Sequence, residues 1–184
     1  RIGYIHSWSN TQDEGWARFT FDQRGIPYTN IDKDELKAGG LRAKFDVILI
    51  PRVRGAASNF IHEIDKKFGP MPFTKTAEFP SHGVPDATND MTGGPGFDGI
   101  DKLKQFVEAG GVIISLDNAS RIMSELGIAR SLSSANAGSL FHPGSVVMAK
   151  VRSRIHPFYT ATRKCFRSSA VLFRSCRSIV RIEI

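Results

Sequence analysis

Apolar residues in this chain come in short runs that are separated by helical patterns and by turns rich in glycine. Two of these runs, Phe45–Ile50 and Val112–Leu116, are apolar almost throughout and predict strands that are buried on both faces of a parallel sheet. Residues 1–8 and Ile26–Ile31 predict two further strands. Weaker strand patterns follow near the end of the chain, at Ser145–Val151, Val171–Phe173 and Ile179–Ile184.

Helical spacing of apolar residues fills the intervals between these runs. It is clearest at 97–109 and predicts helices at 13–24 and 119–126 as well. In the helix at 13–24, Trp16 and Phe19 are separated by nearly one helical turn, and Trp16 is expected in the core. Asp32 is a good N-cap for a short helix that ends before Gly39, and a further helix is predicted around 59–67.

Strands and helices therefore alternate along the chain. This order predicts an α/β domain with a mainly parallel sheet and helices on both of its faces. Ligands of such sheets bind at the carboxyl ends of the strands. The loops expected at that edge are Ser7–Asp13, Pro51–Gly55 and Asp117–Ser120.

The net charge of +7 is concentrated in the last part of the 184-residue chain. From Lys150 onward nine residues are basic and only Glu183 is acidic, whereas the preceding part is close to neutral. No nucleic-acid-binding motif accompanies this charge, so a solvated tail is the favoured interpretation. The chain contains no run of about 18 apolar residues, so no membrane-spanning helix is predicted.

Five segments together carry a family resemblance. They resemble the class I glutamine-amidotransferase-like domain found C-terminal to bacterial zinc carboxypeptidases, and they occur in the order and spacing of that domain. The segments are His6–Trp16, Leu41–Pro51, Thr92–Gly96, Phe106–Ser120 and His142–Ser145.

This resemblance implies a flavodoxin-like three-layer α/β/α fold for residues 1–158 and a secreted or periplasmic parent peptidase. It also implies an accessory role in stability, in association with the peptidase domain or with a second copy, or in substrate binding. Zinc is then expected only in an upstream peptidase domain. The basic segment 159–184 departs from the family pattern, which continues with further strands.

Catalytic members of this superfamily carry a cysteine at the sharp turn between a strand and a helix. Asp117 occupies that position here, so the sequence predicts a domain without catalytic activity. The simplest role for Asp117 is to cap the following helix. An alternative is a hydrolase of the same fold that uses Asp117 or Ser120 with His142.

A second alternative is a module that binds a peptide or a glycan at the same edge. Trp8, Asp13, Glu14 and Asn118 are the candidate ligand-binding residues, and Glu14 is expected near the helix start at Asn118. In the competing interpretation, Asp13 and Glu14 stabilise the N-terminus of their own helix.

Other chemistry finds less support in the sequence. None of the five histidines is followed three residues later by glutamate, so the zinc site of a carboxypeptidase is not predicted here. The glycines of Thr92–Gly96 lack the Lys-Ser/Thr ending of a phosphate-binding loop and are expected only to lead into a helix. Cys165 and Cys176 lie in the weakly patterned tail, where they could pair or remain thiols.

Overall fold

The computed structural model describes residues 1–9, 12–130 and 133, together with the backbone of 170–174. A five-stranded sheet forms its centre, in the order β2-β1-β3-β4-β5. The first four strands are parallel and β5 is antiparallel to β4. The strands are β1 (Ile2–Ile5), β2 (Thr29–Ile31), β3 (Val47–Ile50), β4 (Val112–Leu116) and β5 (Ala170–Arg174).

Helices follow the strands as the sequence predicts. The main ones are α1, α5 and α6, and three shorter helices lie between them. In the described residues the α-helices are α1 (Gln12–Gln23), α2 (Lys33–Ala38), α3 (Leu41–Lys44), α4 (Ala57–His62), α5 (Gly96–Glu108) and α6 (Asn118–Glu125), and a 3-10 helix covers Lys66–Phe68. Together with the strand order 2-1-3-4-5, this arrangement is the flavodoxin-like α/β fold.

Residues on alternate sides of the strands pack against different layers. Ile5, Ile48 and Ile113 belong to the main core, which also contains Leu103 of α5 and Ile122 of α6. The other face of β1 is turned toward α1, because Tyr4 packs edge-on against Phe21 and its hydroxyl donates to the carbonyl of Glu14. The sheet is therefore enclosed between helical layers.

Local signals explain where several elements begin and end. Asp32 caps α2 as predicted, with Oδ1 accepting from the N–H groups of Asp34 and Glu35. Strand β2 is shorter than expected and begins two residues after Pro27, whose nitrogen has no hydrogen to donate to a ladder. The strand expected at Val171–Phe173 is confirmed within β5. The patterns at 145–151 and 179–184 lie outside the described residues, as does the boundary expected at 158.

Two expectations for helices are wrong. Trp16 is 66% exposed and Phe19 is 54% exposed, so the outer side of α1 carries both rings and the core does not. The helix expected through residue 67 ends at His62, because Glu63 adopts a left-handed backbone with φ of 46°. No helix in the described ranges has the length and apolar composition to cross a membrane.

Candidate functional site

Three loops meet at the carboxyl edge of the sheet, where the sequence places the candidate site. Asn118, at the start of α6, joins two of them because its Nδ2 donates to the carbonyls of Val53 (2.9 Å) and Gly55 (2.7 Å). Arg52 joins the third, since its guanidinium lies 3.9 Å from the Asp13 carboxylate after β1. The expected convergence of these loops is confirmed.

Asp117 occupies a strained turn between β4 and α6. Its φ of 52° and ψ of −127° are unfavourable for any residue other than glycine and turn the chain sharply into the helix. The prediction that Asp117 caps α6 is wrong, because its side chain makes no capping hydrogen bond. The carboxylate instead pairs with Arg52, with 2.9 Å between Oδ2 and Nε. The capping group is its backbone carbonyl, which accepts from the N–H of Ser120.

Ser120 is engaged in the turn that it follows. Its Oγ donates to the carbonyl of Ser115 at 3.0 Å and lies 3.3 Å from the Ser115 hydroxyl. The Asp117 carboxylate is turned to Arg52 and the Ser120 hydroxyl to Ser115, so the two side chains that the hydrolase alternative combines with His142 have different partners. The third member, His142, lies outside the described residues, as do His156, Cys165 and Cys176.

Glu14 is not a crevice residue, because only 1% of it is exposed. Its carboxylate accepts from the backbone N–H of Ser7 at 3.2 Å, lies 2.7 Å from Nδ1 of His6 and pairs with Arg18 at 3.4 Å. The expected approach to Asn118 is wrong, since that side chain donates to Val53 and Gly55 instead. Glu14 therefore ties α1 to the end of β1.

Trp8 is half-buried under an aromatic cover, and the open aromatic cleft expected of a peptide- or glycan-binding module is not formed around it. Its ring packs edge-on against His6 (4.4 Å between centroids) and Phe73 (5.6 Å). Phe73 stacks in turn on His82, and His82 stacks on Phe79. The long excursion between β3 and α5 supplies this cover.

A crevice of about 150 Å³ lies between the ends of β1 and β3. In the order 2-1-3-4-5 the chain changes direction across the sheet between these two strands, and flavodoxin-like folds bind ligands at this point. Its polar wall consists of Ser7, Ser9, Arg52, Arg54, Asn59 and Glu63.

Glu63 is among the crevice residues that the sequence does not reveal. Burial raises the pKa of its carboxyl to about 7, although the hydrogen bond from the Trp8 N–H and the nearby His6 favour the charged form. Its backbone is strained in the same way as that of Asp117, with φ of 46° and ψ of −124°. Strained backbones and shifted pKa values concentrate at functional sites.

The glycine-rich segment Thr92–Gly96 leads into α5 as predicted. Gly94 packs so closely on α4 that a Cβ there would lie 2.4 Å from the carbonyl oxygen of Ile61. Close backbone packing therefore accounts for Gly94 without a phosphate. Among the residues that the structure describes, no three His, Cys, Asp or Glu side chains are grouped so that they could hold a metal ion.

Comparisons of this chain with protein families, with curated proteins and with solved structures return no match.

Proposed function

We propose that this chain is a non-catalytic amidotransferase-like domain and that it serves as an accessory domain of a zinc carboxypeptidase-like protein. The observation that carries the proposal is the position of Asp117 and the ion pair that its carboxylate forms. Asp117 stands at a sharp turn from strand to helix, the place where this scaffold presents a nucleophile, and its carboxylate is held by Arg52 at 2.9 Å.

The backbone at this turn has the character of a nucleophile elbow. A residue other than glycine with such angles costs about 1–3 kcal/mol and persists only where the surrounding structure imposes it. The side chain, however, cannot perform the acyl transfer of an amidotransferase, which requires a thiolate. A carboxylate already paired with a guanidinium is a still weaker nucleophile. The turn thus fits a scaffold that has the backbone of a nucleophile elbow and lacks the cysteine sulfur.

Support for the accessory role comes from the sequence motifs together with the fold. Four of the five motifs that resemble the peptidase-linked domain fall on the turn from β1 into α1, on α3 and β3, at the entry to α5 and on the segment from α5 to α6. The fifth motif, His142–Ser145, lies outside the described residues. The strand order, with its first four strands parallel, agrees with the fold that this resemblance implies. The peptidase chemistry, its zinc and its secreted location belong to the proposed parent protein.

A glutaminase and amidase assay of the purified chain tests the first part of the proposal. We expect no turnover of glutamine or of an aryl amide above the level given by an exposed-site control, Asp22→Ala. Asp117→Ala is expected to give the same background. Turnover that Asp117→Ala abolishes and Asp22→Ala preserves would overturn the non-catalytic assignment.

The second part is tested by sequencing the gene upstream of the codon for Arg1. A His–x–x–Glu motif followed by a distant histidine is expected there, because this spacing supplies the zinc ligands of the peptidase. An upstream frame without that motif would remove the parent peptidase from the proposal and leave the assay of the domain unaffected.

A further inference from the structure

The crevice between β1 and β3 combines groups of opposite charge within a small volume. Glu63 contributes a carboxyl group, and Arg52 and Arg54 contribute guanidinium groups. Ile5 and Phe60 form an apolar part of the wall, so the crevice combines charged and apolar surfaces.

Glu63 is held in place by the loop that follows β1. Its Oε2 accepts from the backbone N–H of Trp8 at 3.2 Å, and the Ser7 side chain also donates to the carboxyl group. A carboxylate offers about four acceptor sites, so two bonds leave capacity for a further donor. The strained backbone of Glu63 fixes the direction in which its side chain leaves the main chain. The carboxyl group is therefore pre-positioned to accept hydrogen bonds from a ligand.

Arg54 supplies the positive side of the crevice. Arg52 is engaged with Asp117 and Asp13, whereas Arg54 forms no ion pair with any residue in the described ranges. The Arg54 side chain is exposed at the loop that follows β3. A guanidinium group in that setting binds a carboxylate through two parallel hydrogen bonds.

The size of the crevice limits what it can hold. At about 150 Å³ the crevice is smaller than the ~300–1,000 Å³ typical of sites for drug-sized ligands, so it suits a small ligand. We propose that the crevice binds a small free α-amino acid, with its ammonium group against Glu63 and its carboxylate against Arg54. A carboxypeptidase releases ligands of this class, but binding in this crevice does not require a parent peptidase.

Titration calorimetry with the purified chain tests this proposal. Glycine and L-alanine are the probes, and two half-ligands are the comparison: propionate, which lacks the ammonium group, and ethylamine, which lacks the carboxylate. We expect each half-ligand to bind at least about tenfold more weakly than alanine, a factor that corresponds to about 1.4 kcal/mol. Propionate binding as tightly as alanine would overturn the proposal, as would the absence of alanine binding at millimolar concentration.

Two variants locate the site. Arg54→Met and Glu63→Gln are each expected to weaken alanine binding at least about tenfold. The matched controls are Arg24→Met and Glu108→Gln, which remove exposed charges elsewhere. Because Arg54 is exposed, its variant is expected to fold even if Glu63→Gln does not. Unchanged binding in Arg54→Met would contradict the proposed carboxylate contact.

The pH dependence of binding provides an independent readout. Burial keeps the pKa of Glu63 near 7, against the influence of His6 and Lys33, and the crevice also holds Arg52 and Arg54. A bound ammonium group favours the ionised carboxylate, so binding lowers the pKa and releases a proton near pH 7. We expect alanine affinity to rise about tenfold from pH 6 to pH 8. An equal rise in Glu63→Gln would rule out Glu63 as the titrating group.

Discussion

Nδ1 of His6 lies 2.7 Å from Oε1 of Glu14, and both side chains are at least 95% buried. This contact joins the end of β1 to the first turn of α1. It also orients the imidazole ring against which Trp8 packs. The buried pair therefore fixes the loop after β1, which contains Ser7 and Trp8 and borders the crevice.

Glu14→Gln tests the importance of this pair. The substitution keeps the shape of the side chain but leaves donors from Ser7, His6 and Arg18 around an amide that can accept at only one oxygen. We expect the free energy of unfolding to fall by about 2–4 kcal/mol, as is typical when one partner of a buried polar network is removed. Urea unfolding followed by circular dichroism measures the change.

The control for this substitution is Asp22→Asn on the same helix, where the side chain is exposed. A change within about 0.5 kcal/mol is expected there. If Glu14→Gln destabilised the protein no more than Asp22→Asn, the buried pair would contribute little to joining α1 and β1.

Glu63 should make the stability of the protein depend on pH. Its pKa in the folded protein is about 7, above the ordinary value of 4.5, because burial disfavours the charged carboxylate. Between these two values the native state binds more protons than the unfolded state, so stability falls as the pH rises. We expect a loss of about 3 kcal/mol between pH 4.5 and pH 8.

The measurement is the difference between wild type and Glu63→Gln in urea unfolding across this range. Subtracting the variant cancels the contributions of other carboxyl groups, including Asp86, whose pKa is also raised by burial. A difference that does not change with pH would show that Glu63 titrates as an ordinary exposed glutamate does. Glu108→Gln serves as the exposed control.

Asp32 and Asp117 stand before helices in similar sequence contexts but perform different tasks. The Asp32 side chain accepts two backbone hydrogen bonds at the start of α2, whereas the Asp117 side chain accepts none at the start of α6. We expect Asp32→Ala to cost about 1 kcal/mol of stability and Asp117→Ala less than about 0.5 kcal/mol. Equal losses in thermal unfolding would mean that Asp117 caps its helix after all.

This contrast shows how far the sequence predicts the fold. The buried strands and the Asp32 cap are local signals, since an apolar run or a capping side chain acts on its own neighbours. The backbone at Asp117 is not a local property. It depends on β4 ending beside β3, where Arg52 and Val53 are available as partners of Asp117 and Asn118.

The candidate site is less predictable than the fold for the same reason. The loops that form it follow from the strand order, but Glu63 becomes half-buried only when the residues after β1 pack on it. In the sequence it is an acidic residue beside His62. On α1, the apolar spacing suggests that Trp16 faces the core. Glu14 is the buried residue instead, because His6 and Ser7 provide partners for its carboxylate.

Gly94 and Gly15 form a matched pair for testing how tightly the excursion before α5 packs. A Cβ at Gly94 would lie 2.4 Å from the carbonyl oxygen of Ile61, so alanine forces α4 and the glycine-rich segment apart. We expect Gly94→Ala to lower the free energy of unfolding by about 2 kcal/mol or more. Gly15 lies in α1 with open space around it, so Gly15→Ala is expected to add about 0.5–1 kcal/mol through helix propensity. Urea unfolding of both variants measures the two changes, and a neutral Gly94→Ala would mean that α4 and this segment do not pack at the described distance.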